Sequence, residues 1–393
     1  MNIISTGPNA AGVDPVALDV VKLTQELVRI NSISPDLVPD AAGEAEIVQW
    51  CAAWLSARGF EVQQVGPAER PSIIGIARGT GGGKSLMLNG HVDTVGVAGY
   101  DGDPFAAEVR DGNVYGRGTF DMKAGVAAIM VAAARAAKAK LAGDVIVTLV
   151  SDEEFGSQGT QDALAAVTAD AAIVTEPSEM HLVLAHRGFA WFEIELTGLA
   201  AHGSMPHQGV DAIAHSGLVM RALDDLQVRF ESALPHPLLG FSAVRVSMIS
   251  GGTDAATVAQ SCTLTIERRM LPAETPDSVE TELRDLLDAL VAAHADFQFE
   301  LRRLVARGAF EADMDGPIVR AVADSAERVL GRPAASRGEP FWTDAGLILA
   351  AGIPCLLIGV DGGGAHAATE WATVESIEQL TDILEGAIGT FCA

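Results

Sequence analysis

The sequence predicts an α/β protein: a mixed, mainly parallel sheet flanked by helices, with a smaller ferredoxin-like α+β domain inserted into it. Three observations carry that prediction. Up to residue 185, short β-prone runs such as Val145–Val150 alternate with helix-length segments, the pattern of strand–helix units. From His186 the order becomes strand, helix, strand, strand, helix, strand, which is the ferredoxin-like split unit. After residue 304, and clearly from Asp313, the first texture resumes. The expected organisation is a first domain over 1–185 and 305–393, interrupted by an inserted domain over 186–304.

With 393 residues the chain is long enough for two cores. Its net charge of −26, from 26 Lys and Arg against 52 Asp and Glu, disfavours nucleic acid and anionic membrane surfaces as partners. The N-terminal MNIISTGPNAAGVD lacks the basic start and apolar core of a signal peptide. The uncharged run Ala345–Val360 is too short to span a membrane, and Gly346, Gly352, Pro354 and Gly359 interrupt it. Cys51, Cys262, Cys355 and Cys392 are far apart and form no CxxC pair. A cytoplasmic, reduced protein is expected, whose metal site, if it has one, is built from His and carboxylates.

Residues 1–13 read as a loose tail. Asp14-Pro15 can open a first helix reaching about Ile30, with Pro at the first helical position. A second helix over about Ala42–Arg58 stops at Gly59, and FEVQQV then reads as a strand. Gly79–Lys84, GTGGGK, has the look of a phosphate-binding loop, but Arg78 occupies the place of its first glycine and a strand follows instead of a helix. It reads as a hairpin turn.

Ser85–Asn89 then runs into Gly90-His91-Val92-Asp93-Thr94. Alternation puts His91 and Asp93 on one side, and a carboxylate beside an imidazole is the usual device for fixing the tautomer of a metal-bound His. A lone His here would be an ordinary core residue. Asp121 stands at the mouth of an Ala-rich helix over about Met122–Leu141, where the helix dipole favours a carboxylate and an N-cap is the plainer reading. The strand Val145–Val150 ends in Ser151 and then Asp152, Glu153 and Glu154. Alone, that triplet is a solvated acidic loop; buried, it needs cations or metal ions. A helix over Gln161–Val167 and a strand over Ala171–Val174 follow, closed by Thr175-Glu176-Pro177. Positions 91, 121, 154 and 176 thus recur about every 20–33 residues, the length of one strand–helix unit. Each falls at the carboxyl edge of the sheet, where open α/β sheets build sites.

The inserted domain reads as strand Arg187–Leu196, a loop Ala201–Pro206 carrying His202, a helix over about Val210–Phe230 and strands Ser242–Ser250 and Thr263–Met270. A helix over Pro276–Ala295 and a strand over Phe297–Leu304 complete it. The resumed first domain offers a helix over Gly316–Leu330, a short element near Trp342–Leu349 and a strand over Pro354–Val360. The loop Asp361–His366 and a closing helix near Val374–Gly389 end the chain. His366 is the last residue at this sheet edge able to coordinate a metal. His91, Asp121, Glu154, Glu176 and His366 together suit two borderline-soft divalent ions. Three carboxylates and one hydroxide carry four negative charges, which two divalent ions balance and one does not. A carboxylate can bridge ions ~3.5–4 Å apart.

The chain at this point resembles the di-zinc amidohydrolases and metallopeptidases that include aminoacylase, acetylornithine deacetylase, succinyl-diaminopimelate desuccinylase and carboxypeptidase G. The matching stretches are GHVDT (Gly90–Thr94), YGRGTFDMKAG (Tyr115–Gly125), SDEEFGSQG (Ser151–Gly159), TEPS (Thr175–Ser178), His186–Ile213, CTLTIERRMLP (Cys262–Pro272) and AHAATEW (Ala365–Trp371). They run in the family's order over nearly the whole chain.

The resemblance implies a zinc-peptidase-like fold whose inserted domain serves as a lid and for homodimerisation. It implies that Asp121 bridges two divalent ions, with His91 and Glu176 completing one shell and Glu154 and His366 the other. Asp93 would orient His91, and Glu153 would be the general base. His202 would reach the active site of the partner subunit, to stabilise an oxyanion on the substrate, and Arg269 would meet the substrate carboxylate. The peptide after Asp121 would be cis. Read without the resemblance, His202 is a polar loop residue, Arg269 a surface strand residue, and Asp152 a shaper of the turn. Zinc is the first expectation for the ions, with cobalt and manganese as alternatives.

The implied activity is metal-dependent hydrolysis of the amide bond in small N-acyl amino acids, deacetylase-like. A dipeptidase or carboxypeptidase acting on short peptides is the alternative. A catalytically dead metal-binding relative is a third reading, against which the intact Glu153, Glu154 and His202 argue. The chain departs from the family at Ala256 and Ala259, where Asn and Pro are common, at Val95-Gly96, which lacks the usual Pro, and at Asp361. None of these is a candidate ligand or the candidate base, so they bear on substrate identity.

Overall fold

The computed structural model describes residues 18–393, so the expected tail and the Asp14-Pro15 helix start lie outside the described residues. Helix α1 (Val20–Arg29) is capped by Asp19, whose Oδ1 accepts the Lys22 N–H at 3.1 Å. The chain forms two compact units, one ending its first stretch at Leu184 and resuming over Ala312–Arg337 and Thr343–Ala393. The other comprises Ala185–Glu311 and Gly338–Trp342.

The first unit continues with α2 (Ala45–Ser56), β1 (Glu61–Val65), β2 (Ser72–Ala77) and β3 (Leu86–His91). A short hairpin, β4 (Glu108–Arg110) and β5 (Asn113–Tyr115), precedes α3 (Ala124–Ala136), β6 (Val145–Val150), α4 (Gln158–Ala166), β7 (Ala171–Val174) and β8 (Leu182–His186), whose last two residues fall in the second unit. In the second unit β9 (Gly188–Thr197), α5 (Ala212–Glu231), β10 (Ala243–Gly251), β11 (Ser261–Met270), α6 (Pro276–Ala293) and β12 (Gln298–Arg307) are followed by β13 (Phe310–Glu311). The chain ends with α7 (Pro317–Leu330), β14 (Ser336–Glu339), α8 (Ala345–Ala350), β15 (Cys355–Leu357), β16 (Gly362–Gly363), β17 (Trp371–Thr373) and α9 (Val374–Phe391).

The main sheet of the first unit has the order β1-β2-β6-β3-β7-β15-β8. Its centre, β6-β3-β7-β15, is parallel. All four of these strands are buried along their whole length, as apolar strands covered on both faces must be. Helix α3 is apolar around its whole circumference and is buried on nearly every face. Its small residues let the backbone approach the sheet; a Cβ at Gly125 would collide with the Thr175 carbonyl.

One expectation fails here. Gly79–Lys84 is not a hairpin turn, because β6 lies between the strands it joins, antiparallel to β2 and parallel to β3. Gly79–Lys84 is instead a crossover laid across the entry to β6, with the Thr80 and Gly81 N–H groups donating to the Leu141 and Ala142 carbonyls at 2.8 and 2.9 Å. The glycines serve that contact, since a Cβ at Gly79 or Gly83 would strike the Ala142–Gly143 backbone.

The second unit is an antiparallel sheet of order β10-β11-β9-β12, the ferredoxin-like arrangement. Burial alternates along β9, so Phe192, Ile194 and Leu196 share one face and pack with Leu223, Leu226, Leu283 and Leu287 of α5 and α6. In the first unit a small antiparallel sheet, β16-β17-β5-β4, sets residues 362–373 beside residues 108–115. Among the described residues no helix is long and apolar enough to cross a membrane.

Candidate metal centre

Three elements of the parallel sheet deliver candidate ligands at their carboxyl ends. His91 is the last residue of β3, Glu154 lies in the turn after β6, and Glu176 follows β7. Asp121 arrives on the loop after β5, and His366 on the loop between β16 and β17. Asp121 is not the N-cap of α3. A π-type turn over Thr119–Lys123 intervenes, Lys123 occupies the cap position, and the Asp121–Met122 peptide is cis. Asp121 has φ −119° and ψ 92°, so its carboxylate turns into the cluster and away from the N–H groups of the helix.

Among the described residues, two groups of ligand-type atoms form, His91–Asp121–Glu176 and Asp121–Glu154–His366, each with its atoms within 4.8 Å of one another. Asp121 belongs to both. Its Oδ1 lies 3.1 Å from His91 Nε2, and its Oδ2 lies 3.3 Å from His366 Nε2. Glu176 Oε1 is 3.7 Å from His91 Nε2, and Glu154 Oε2 is 3.0 Å from His366 Nε2. His91 Nδ1 lies 3.1 Å from the main-chain carbonyl of Asp93, and 3.5 Å from its Oδ1. A carbonyl can only accept, so Nδ1 carries a proton and Nε2 is the nitrogen left to coordinate. The expected orienting contact is therefore made chiefly by the backbone of Asp93.

The Asp93 carboxylate has a different task. Its two oxygens accept the N–H groups of Glu153 and Glu154, at 3.2 and 3.1 Å. The acidic turn is thus pinned to the strand end that carries His91. Asp152 is held by Arg70, whose guanidinium reaches its Oδ1 at 3.1 Å and grips the fully buried Glu44 at 2.6 and 2.7 Å. The other Asp152 oxygen accepts the Gln158 N–H at 3.2 Å, with Asp152 itself at φ 68°. Of the three consecutive carboxylates, one has a cationic partner, one joins a ligand group, and Glu153 joins neither.

Burial raises the carboxyls of Asp152, Glu153 and Glu154 alike above their ordinary values. Burial, and then the charge of Glu176, push the Glu153 carboxyl well above the usual carboxylate range. The His366 imidazole is raised to about 10 by hydrogen bonds to Asp121 and Glu154. Burial works against protonation of His91, yet Glu176, Asp121 and Asp93 raise it well above its ordinary value. Protons drawn onto both imidazoles mark a strongly negative cluster, whose field and donor set suit two divalent cations. Asp344 was not visible as part of this region in the sequence. It is buried with its pKa raised to about 6 by burial, and it accepts the Thr160 hydroxyl at 2.6 Å.

His202 and Arg269 lie in the second unit. The exposed His202 ring accepts the Ser204 N–H at Nδ1, at 3.2 Å, so the neutral imidazole bears its proton on Nε2. Arg269 donates to Glu267 at 2.8 Å, and Glu267 also pairs with Arg245 at 2.6 Å.

The sequence profile of peptidase family M20/M25/M40 matches residues 87–390. The N-formyl-4-amino-5-aminomethyl-2-methylpyrimidine deformylase of Bacillus subtilis (strain 168) is 29% identical over 412 residues, covering 95% of both chains. An acetylornithine deacetylase of Proteus mirabilis (strain HI4320) is 29% identical over 390 residues, covering 95% of this chain and 96% of that protein. Among solved structures, the aminopeptidase PepT from Bacillus cereus ATCC 10987 superposes with a TM-score of 0.79 at 20% identity, over 96% of this chain and 100% of that one.

Proposed function

The chain belongs to peptidase family M20/M25/M40 and is a hydrolase of amide bonds, and on that premise we propose that it deacylates a small N-acyl amino acid or amine at a site for two divalent ions. The observation that carries the reading is Asp121, which turns one oxygen to each of two ligand groups. His91 and Glu176 would complete one ion's shell, Glu154 and His366 the other's, with zinc the first candidate. Ions held there would supply Lewis acidity, polarising the amide carbonyl and lowering the pKa of a water. Glu153, with a raised affinity for protons, takes one from the attacking water and returns it to the departing nitrogen. His202 offers its Nε2–H to the developing oxyanion. Arg269, whose remaining N–H groups are not used by Glu267, meets the substrate carboxylate.

The two relatives matched over 95% of this chain are by name a deformylase and a deacetylase, which favours removal of a small acyl group over peptide cleavage. The test is a panel of N-formyl and N-acetyl amino acids and amines beside dipeptides, assayed with and without a chelator. Turnover of the N-acyl compounds, lost on chelation, with two ions per chain by elemental analysis, is the expected result. A fully active metal-free protein would overturn the metal reading, and faster turnover of dipeptides would favour a dipeptidase or carboxypeptidase.

A homodimer is part of the proposal. β10 is an edge strand whose Met248 and Ile249 are 66% and 51% exposed, and α5 exposes Ile213, Met220 and Val228. An unpaired edge with apolar neighbours suits a second copy of the chain. If His202 acts across that dimer, mixing Glu153→Ala subunits with His202→Ala subunits should recover part of the activity that each lacks. No recovery, with subunit exchange demonstrated, would place His202 in its own chain's site or outside catalysis. The cytoplasm is the proposed compartment, since all four cysteines are buried and unpaired.

A further inference from the structure

We propose that Glu370, together with Arg117, is a positioning residue that holds Asp121 and His366 in register with each other. The inference rests on the metal-site reading above. Asp121 and His366 come from separate stretches of the first unit, before and after the residues of the second, and something must fix their separation.

Glu370 is fully buried. Its Oε1 accepts the N–H groups of Phe120 and Asp121, at 2.9 and 3.0 Å. Its Oε2 accepts the Gly118 N–H at 2.9 Å and Arg117 Nη1 at 2.6 Å. Both oxygens are thus satisfied twice, by the loop that ends in the candidate bridging carboxylate. Gly118 has φ 79°, a conformation that a side chain would resist, and this bend turns its N–H toward Glu370.

The tie is reciprocal. Arg117, buried at 3% exposure, donates through Nη2 to the carbonyl of Ala367 at 2.9 Å, and Ala367 is the neighbour of His366. So the side chain of residue 370 holds the backbone of 118–121, and the side chain of residue 117 holds the backbone beside His366. The Gly116 N–H closes the same seam on the Glu370 carbonyl at 3.1 Å, where β5 and β17 meet. His366 needs such support more than the other candidate ligands do. Its side chain is 53% exposed and its backbone sits at φ 61°, whereas the His91 and Glu176 side chains are only 1% and 7% exposed.

A buried ion pair that only supported the fold would weaken both ions alike when altered. The register role predicts asymmetry: the ion held by Asp121, Glu154 and His366 should suffer more, because the seam sets two of its three ligands, Asp121 and His366, but only Asp121 of the other three. Glu370→Gln keeps the volume and one acceptor oxygen but turns an NH₂ toward other donors. Arg117→Lys keeps a cation for Glu370 but cannot also reach Ala367, because a lysine lacks the planar fork. Zinc affinities of the full chain are read by chelator-competition titration, and folding by circular dichroism and the thermal midpoint of the metal-free protein.

The expected result is that in folded variants one of the two zinc affinities falls about 10–100-fold, the range seen when a supporting partner of a metal ligand is removed, while the other changes about threefold or less. Affinities at wild-type level for both ions, or equal weakening of both, would overturn the register role. A wild-type protein that binds fewer than two zinc ions would instead remove the metal-site reading on which it rests. If Glu370→Gln fails to fold, the Arg117→Lys titration decides alone.

Discussion

Glu153→Ala is expected to fold, to bind two divalent ions per chain, and to lose turnover by about 10²–10⁴-fold, the range contributed by a general acid–base group. The structural case is one of exclusion and placement. Glu153 belongs to neither ligand group, although its neighbour Glu154 does. Its backbone N–H is fixed by Asp93 Oδ1, which holds the turn that carries the side chain. Burial and the charge of Glu176 raise its proton affinity, which is what a shuttle needs when it must first accept and then release a proton. Alanine removes a carboxylate from a crowded negative cluster and leaves no unpaired charge behind, so the fold has little to lose. The measurement is kcat and KM beside elemental analysis of the purified variant. Lost turnover accompanied by lost metal would make Glu153 a ligand in disguise, and undiminished turnover would dismiss it as the base.

The parts of this site that sequence made legible were those carried by periodicity. β3, β6 and β7 are uninterrupted apolar runs, and the residue types that follow each run announce its carboxyl end. β2 and β8 lie outside the expected strands, and the small sheet escapes any periodicity because its strands are two or three residues long and include Gly362-Gly363. Composition alone puts Asp121 at a helix start, where an N-cap is the plain reading; only the resemblance carries the expectation of a bridging carboxylate followed by a cis peptide. The cation that stabilises Asp152 was also invisible. Arg70 stands 82 residues away in sequence, in a turn with no motif of its own. Glu370 is farther still, 249 residues from the N–H of Asp121. Pairings of that kind are set by which strands become neighbours. The order β1-β2-β6-β3, with its crossover at Gly79–Lys84, is a tertiary fact that alternation along one strand does not encode.

Asp121→Asn should cost more than the loss of any other single candidate ligand, with turnover falling on the order of 10³-fold or more, equivalent to ~4 kcal/mol of barrier. Each ligand group has three members, and Asp121 is the only residue common to both. Without its charge, one group is left with His91 and Glu176 and the other with Glu154 and His366, so neither keeps the donor number of a closed site. The substitution is gentle elsewhere. Asparagine keeps the shape, and the Asp121 N–H that Glu370 holds is main-chain and survives. His366→Ala provides the contrast, since it removes a ligand from one group only. After dialysis against metal-free buffer, Asp121→Asn should retain little or no metal and His366→Ala about one ion per chain. Two ions retained by Asp121→Asn would show that the bridge is not what joins the groups. Equal retention by the two variants would mean that the ions bind as a cooperative pair, so that losing either shell empties both.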